Sequence, residues 1–197
     1  MSEIFQQTWW QDNVDSKIET FASWIGDYSA ESKVFARKHI SSKNYKSIVD
    51  CGCGLCTEYF GYRSDGHIID YVGIDATPKL VELARSKGID ARQGYIESIP
   101  LPDNFAEISY IRHIVEHLPT FEPALREAVR IASKEVVVIF FLKPGDSTVI
   151  DFDPSERLYH NRYSKESVEN LLKEIPKVKK FNWIEVNNDE TLLSIEL

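Results

Sequence analysis

Cysteine is scarce, and the three that occur crowd together as Cys51, Cys53 and Cys56. An odd number at one spot cannot lay out a disulfide framework, and a reducing, cytoplasmic compartment follows as the default expectation. The trio also falls one thiolate short of a four-ligand zinc site or iron–sulfur cluster. No metal is therefore expected, and small apolar packing around a tight turn is the expected use of these side chains. No apolar run approaches the roughly 20 residues that span a bilayer. Met1 to Trp10 lacks both the basic region and the apolar segment of an export signal. Positive charge is in deficit, with 23 Lys and Arg against 31 Asp and Glu and a net charge of -8. Such a chain is not steered toward phosphate backbones, so neither nucleic acid nor a membrane is an expected partner. The densest lysine cluster, Lys173 to Lys180, reads as the solvated end of a helix and the turn after it. Repeats, low-complexity segments and composition breaks are absent too. With 43% apolar and 27% charged residues over 197 positions, the expectation is one globular domain, 1–197.

What is present alternates between two periodicities. Asp15 to Ile40 has helical spacing, broken near Gly26, with Asp15 or Ser16 capping the first piece and Ser29 or Ser32 the second. Strand-like runs follow at Ser47–Cys51, Ile68–Ile74, Asp90–Gln93, Glu107–Ile111 and Glu135–Leu142, the last containing Val-Val-Val-Ile-Phe-Phe. Between them lie helices at Pro78–Lys87, closed by Gly88, and at Phe121–Ala132, with Pro123 in its first turn. A polar stretch, Asp146–Tyr163, leads to a helix from Ser164, its cap, to Glu174. Phe181–Val186 and Leu192–Leu197 form a closing hairpin around Asn187, Asn188 and Asp189. Strands alternating with helices predict an α/β, doubly wound sheet of seven strands, mostly parallel and covered on both faces, with an antiparallel C-terminal hairpin. Residues 1–45 would be a helical cap, 46–142 a cofactor-binding half, and 143–197 a substrate-side loop, helix and hairpin.

The sharpest signal is Asp50-Cys51-Gly52-Cys53-Gly54-Leu55-Cys56, where a strand gives way to a helix. Glycines there allow a tight turn and close backbone approach, and the helix offers free N–H donors. The next strand ends at Asp75, about 20 residues on, where an acid can receive both ribose hydroxyls. These features predict a nucleoside-bearing cofactor without saying which.

Asp50-x-Gly52-x-Gly54 resembles motif I of the class I S-adenosylmethionine-dependent methyltransferases. Val72-Gly73-Ile74-Asp75-Ala76-Thr77-Pro78 resembles their ribose-binding segment. Gly94 to Phe105 resembles their third stretch, and Tyr110 to Leu118 the stretch after strand four. The resemblance covers Lys46 to Leu142 in order. It implies S-adenosylmethionine as cofactor, a small molecule as methyl acceptor, Asp50, Gly52 and Gly54 in the loop holding the methionine end, and Asp75 and Ala76 at the ribose. Tyr95 stands where the family often has Asp, so adenine recognition would rest on backbone groups around Ile96, or on Glu97. Glu107 stands where an Asp usually opens strand four. Cys56 occupies the third glycine position of the dinucleotide fold, which speaks against the competing reading, a nicotinamide oxidoreductase that must grip a pyrophosphate. A non-catalytic module that binds the same cofactor is the other alternative.

Acceptor-side candidates come from the segment after strand four. His113 and His117, four apart, would share a face of a helix, and either can touch substrate or act as a base. Such a pair can also bind metal, but it lacks the adjacent Glu of the metalloprotease motif. Glu116 is expected to face solvent. Arg112 can meet the methionine carboxylate, an acidic substrate or a surface acid. Trp9, Trp10, Trp24 and Tyr28 form a lid or simply pack on the sheet. Asp146–Tyr163, with Asp151, Asp153, Arg157, His160, Arg162 and Tyr163, is the candidate acceptor-side wall. No Asn/Asp-Pro-Pro-aromatic run follows strand four, which argues against a base-amino acceptor.

Overall fold

The computed structural model describes residues 10–15, 18–19, 26–155 and 157–197. Strands β1 (Ser47–Cys51), β2 (Asp70–Asp75), β3 (Ala91–Gln93), β4 (Ala106–Arg112) and β5 (Ala132–Phe140) run parallel. Two further strands, β8 (Lys180–Glu185) and β9 (Thr191–Glu196), pair antiparallel at one edge, giving a seven-stranded sheet of order β3-β2-β1-β4-β5-β9-β8. Helices α1 (Glu31–Ser41), α2 (Thr57–Ser64) and α3 (Pro78–Ser86) cover one face, and α4 (Glu122–Ile131) and α5 (Lys165–Glu174) the other. A separate two-stranded hairpin, β6 (Phe152–Asp153) and β7 (Leu158–Tyr159), stands inside the polar stretch, which local composition marks only as loop.

The β5 run shows why the sheet must be covered twice. Val136, Val138 and Phe140 face the α4–α5 layer, while Val137 and Ile139 face the α1–α3 layer, and all five are fully buried. A strand apolar on both sides can sit only in the middle of such a sandwich. The strand order reverses between β1 and β4, each paired to the other, so a crevice opens at the carboxyl ends of β1, β2 and β4.

Helix ends follow local chemistry in part. Ser164 Oγ accepts the Ser167 N–H at 3.1 Å and caps α5. Gly88, at φ 78°, closes α3 in a conformation that suits glycine. Other caps differ from expectation. Residues 10–15 are already helical, so Asp15 lies inside the first helical piece rather than capping it. The N-cap of α1 is Ala30, with no side-chain cap. Ser29 instead turns back on Asp27, and Ser32 is buried, its Oγ accepting from Arg112 Nε at 3.1 Å. Ser16, Trp9 and Trp24 fall outside the described residues.

The lysine-rich stretch after α5 is not merely solvated. Lys177 Nζ reaches the Val129 carbonyl at 2.7 Å, the Ala132 carbonyl, and Asn104 Oδ1 at 2.7 Å. It neutralises the negative end of α4, a task that local composition does not reveal. β5 begins three positions before Glu135, at Ala132, directly where α4 stops. The Glu135 carboxylate is fully buried and takes bonds from Ser194 Oγ at 2.5 Å, His39 at 2.8 Å and Lys43 at 3.0 Å. Burial opposes its charge, yet these donors bring its pKa down to about 2.

Glu116 is the largest departure. It has no exposed surface, and its Oε1 accepts the Phe141 N–H at 2.6 Å and the Leu142 N–H at 3.3 Å. Two amides leaving the end of β5 need an acceptor, and Glu116 folds inward to provide one. Its Oε2 has no hydrogen-bond partner, and burial lifts its pKa to about 8. Between pH 4.5 and 8 the folded state therefore holds a proton that the unfolded chain releases, and stability falls as pH rises through that window. The expected result is that Glu116→Gln matches the parent near pH 5 in urea unfolding. Its advantage then grows by up to about 1.4 kcal/mol per pH unit toward pH 8. A pH-independent difference would show that Glu116 is ionised throughout.

Candidate functional site

The crevice holds a cavity of about 320 Å³, built from the ends of β1, β2 and β4, with Trp10 also in its lining. At its centre the chain turns sharply out of β1. The Gly52 and Cys53 N–H groups both donate to the Ile74 carbonyl, at 2.7 and 3.0 Å. Gly52 has φ 80°, and a Cβ there would lie 2.5 Å from the Ile114 side chain, so the position admits only glycine without a shift. Cys56 adopts the left-handed conformation usual for glycine, with φ 54°, and α2 starts at the next residue. The Cys53 and Cys56 sulfurs lie 3.3 Å apart and fill the space above Gly73, where a Cβ would come within 2.7 Å of both.

Asp75 ends β2 and ties the turn to the next loop. Its Oδ2 accepts the Gly54 N–H and its Oδ1 the Thr77 N–H, both at 2.8 Å. Beyond it, Ala76, Ile96 and Glu97 line an apolar side of the cavity, with Glu97 raised above its ordinary pKa by burial. Trp10 lines the cavity and also packs against the Val14, Leu55 and Leu80 cluster, and Gln11 donates to the Ala76 carbonyl at 3.1 Å.

The opposite end is charged. Asp50 is 4% exposed, and its Oδ2 accepts the Tyr71 hydroxyl at 2.5 Å. Burial, reinforced by Glu58, lifts Asp50 to a pKa of about 7. Lys33 and Glu58, which no sequence motif singles out, line the same wall. Lys33 Nζ donates to Thr57 Oγ1 at 2.6 Å, and burial lowers its pKa. Glu58 Oε2 accepts from Arg37 at 3.0 Å, while Glu58 Oε1 and the Tyr110 hydroxyl have no hydrogen-bond partner. Two orphaned buried polar atoms on one cavity wall point to a polar ligand. A signal for these cations is present in the sequence: Lys33, Ala36, Arg37 and Ile40 make an inward helical stripe, and two of its members are charged.

The third end carries the histidines. They are not on a helix face. His113 has left-handed φ 58° just after β4, and His117 closes a 3-10 turn, Val115–His117. Both still line the cavity. His113 Nε2 lies 2.6 Å from Glu190 Oε1, and His117 Nδ1 lies 2.8 Å from the Tyr159 carbonyl. Arg112 lines the cavity as well, with Nε on Ser32 Oγ and Nη2 3.8 Å from Glu190. Glu190 comes from the β8–β9 turn, so the closing hairpin reaches the site. The 146–163 stretch reaches it only indirectly, through Tyr159 and through the His160 ring, 5.3 Å from that of His117. Asn161 anchors the stretch by donating to the Leu118 carbonyl at 2.8 Å.

Comparison with known proteins bears on the segment that builds this cavity. Residues 49–140 match the family model described as a methyltransferase domain. Over that segment, just under half of the chain, the sequence is similar to methyltransferase domains. The chain is 28% identical over 114 residues to an uncharacterized methyltransferase, YcgJ, of Bacillus subtilis, covering 53% of this chain and 44% of that one. It is 33% identical over 86 residues to the uncharacterized protein YafE of Escherichia coli, covering 43% and 39%. The chain thus spans less than half the length of these curated relatives. The methyltransferase fold extends further. The 1,6-didemethyltoxoflavin-N1-methyltransferase of Burkholderia thailandensis, solved with 1,6-didemethyltoxoflavin and S-adenosylhomocysteine, superposes with a TM-score of 0.68 at 12% identity. That superposition covers 100% of this chain and 92% of the other, and at that identity the likeness is one of fold. The methyltransferase sheet accounts for β3-β2-β1-β4-β5 with the antiparallel pair at its edge. Among the described residues, no helix is long and apolar enough to cross a membrane, and no group of three or more His, Cys, Asp and Glu side chains is placed to hold a metal.

Proposed function

We propose that the chain is an S-adenosylmethionine-dependent methyltransferase acting on a small molecule, in a cytoplasmic setting that its three free, buried cysteines favour. The observation that carries the proposal is the polarity of the cavity. One end offers an apolar slot with a carboxylate, and the other offers two buried carboxyls beside two cations. The donor supplies a methyl carbon already activated by a sulfonium sulfur. Asp75 and Ala76 hold the ribose, and Ile96 and Glu97 border the adenine. Asp50, Gly52 and Gly54 hold the methionine end, with the amino group toward Asp50 and Glu58 and the carboxylate toward Arg112 and Lys33. His113 and His117 face the acceptor, where a base is needed only if the nucleophile carries its proton at neutral pH. Alignment and exclusion of water, with Trp10 as cover, are the rest of the protein's task.

The same polarity disfavours a nicotinamide dinucleotide. Its pyrophosphate would sit at the start of α2, where Glu58 lies in the first turn and Asp50 lies behind it. Calorimetry with S-adenosylmethionine, S-adenosylhomocysteine and NAD tests the reading. Saturable binding of the first two and none of the third is expected. Because burial pushes Asp50 up to about 7, a cationic ligand beside it favours the ionised form and expels a proton. Affinity for S-adenosylmethionine should therefore rise with pH up to about 7 and then level off. The measured heat should vary with the buffer's ionisation enthalpy. A flat pH profile with no proton release would remove Asp50 from the ligand's surroundings.

A further inference from the structure

The two histidines of the cavity are held in opposite tautomers. A carbonyl oxygen only accepts, so the 2.8 Å contact between His117 Nδ1 and the Tyr159 carbonyl puts the proton on Nδ1 and leaves Nε2 with its lone pair. His113 is the mirror case. Its Nε2 faces the Glu190 carboxylate at 2.6 Å. Burial works against that charge, but bonds from His113, Ser32 and Asn187 bring Glu190 to a pKa of about 2, so it is an ionised acceptor. The proton of His113 then sits on Nε2 and the lone pair on Nδ1. Burial also keeps both imidazoles below their ordinary pKa, with His117 at about 4, so both are neutral at pH 7.

Aromatic rings of the same cavity lining surround the two imidazoles. Phe141 lies 5.3 Å from His113 and 5.2 Å from His117, and Trp10 stands edge-on to His117 at 6.3 Å. Ile114 and Leu118 complete the wall without polar side chains. Such a surface favours stacking against a planar ring. With Arg112 turned to Ser32 and Glu190, the polar demand left among the described residues of this wall is that of two hydrogen-bond acceptors, and each left unpaired in a closed complex would cost binding energy. A carboxylate ligand would bring further lone pairs against them. An ammonium ligand would find the Glu190 charge already engaged by His113.

We propose that this end of the cavity binds a neutral, planar aromatic or heteroaromatic acceptor bearing N–H or O–H groups, which donate to His113 Nδ1 and His117 Nε2, with Glu190 as the residue that positions His113. In the transfer, the acceptor atom's electron pair forms the bond to the methyl carbon and the carbon–sulfur pair stays on sulfur as a thioether. The acceptor's proton passes to His113 Nδ1, giving an imidazolium beside the Glu190 carboxylate. This inference rests on the methyltransferase reading above.

The test separates the two. S-adenosylhomocysteine binding to the full chain is measured first by calorimetry, and its absence would defeat the methyltransferase reading and this inference with it. Ligand-observed NMR on the loaded protein then compares benzimidazole with 1-methylbenzimidazole, benzoate and benzyltrimethylammonium. Benzimidazole should bind at least about tenfold more tightly than each of the others, equivalent to about 1.4 kcal/mol. His117→Phe, which keeps a ring and removes a lone pair, should abolish most of that preference. Long-range proton–nitrogen spectra of the parent should show His113 protonated at Nε2 and His117 at Nδ1. Glu190→Gln should mix the His113 tautomers and leave His117 unchanged, a response that a merely structural Glu190 would not produce. With S-adenosylhomocysteine bound, equal affinity for the methylated probe, stronger binding of benzoate or the ammonium, or no binding of any probe at millimolar concentration would overturn the inference. The reverse tautomers would overturn it too, and that spectrum decides even if His117→Phe fails to fold.

Discussion

Asp75→Ala is expected to weaken S-adenosylmethionine and S-adenosylhomocysteine binding by a factor of at least about ten, and by about a hundred if both ribose contacts go with the loop, since each tenfold is about 1.4 kcal/mol. Two effects add. In the proposed function the carboxylate at the end of β2 receives the ribose hydroxyls, and a hydrogen bond to a charged acceptor is worth about 1.5–3 kcal/mol. It also staples the loops that frame the cavity, through the Gly54 and Thr77 amides at 2.8 Å. Alanine frees both amides. Asp75→Asn should fare little better, because the single carbonyl oxygen of a carboxamide can meet one amide while its NH2 group faces the other. Burial raises the pKa of Asp75, and those two amide bonds oppose the rise. The thermal midpoint of the variant should fall only by the modest amount that two freed loop amides account for, since the change lies at a cavity edge and not in either core layer. A dissociation constant equal to the parent's would remove Asp75 from the ribose site. A large loss of thermal stability would assign it to the fold instead.

That experiment probes the part of the site that local sequence reveals. Asp50, Gly52, Gly54 and Asp75 can be read in advance because a turn between strand and helix constrains residue types within a few positions. For the same reason the seven strands are legible: periods of two and of about three and a half residues persist along the chain whatever the partners are. Strand ends are less so, as at Ala132, where β5 follows α4 with no loop to mark the change. What stays hidden depends on contacts across long separations. Glu116 looks like a surface acid until the amides of Phe141 and Leu142, 25 and 26 positions away, come to rest against it. Lys177 looks solvated until it meets the end of α4. Glu190, in a turn at the far end of the chain, becomes the partner of His113 only once β9 pairs with β5. The histidine spacing suggests a helix because four residues is about one helical turn, but the left-handed residue at His113 replaces that helix with a tight corner that still turns both rings into the cavity.

The buried charges on the α1 face lead to the largest expected change in stability. Arg37→Met should destabilise the fold by about 3–5 kcal/mol, the range for removing one partner of a buried ion pair. The Arg37 side chain is 3% exposed and that of Glu58 4% exposed, with Nη1 and Oε2 3.0 Å apart. Arg37 Nη1 also donates to the Tyr28 carbonyl, and its Nε to Asp65 Oδ2, both at 2.8 Å. Asp65 is 38% exposed and can return to water when the guanidinium is lost. Glu58 cannot, so it must be protonated or remain a buried charge. Burial already raises its pKa while Lys33 and Arg37 hold it down, and losing Arg37 lifts it further. A raised carboxyl pKa means that the folded state keeps a proton the unfolded chain gives up, so the variant's deficit should be larger at about pH 8 than at about pH 5. The double variant Arg37→Met/Glu58→Gln should recover much of the loss and flatten its pH dependence, because no charge is then left behind. The fit is tight enough that Gly61→Ala should act in the same direction, since a Cβ there would lie 2.5 Å from the guanidinium carbon. Urea unfolding of the parent and these three variants at both pH values decides the matter. If Arg37→Met costs under about 1 kcal/mol, the typical value of an exposed pair, then Glu58 is not held as a buried ion. The charged wall of the cavity would then need a different account.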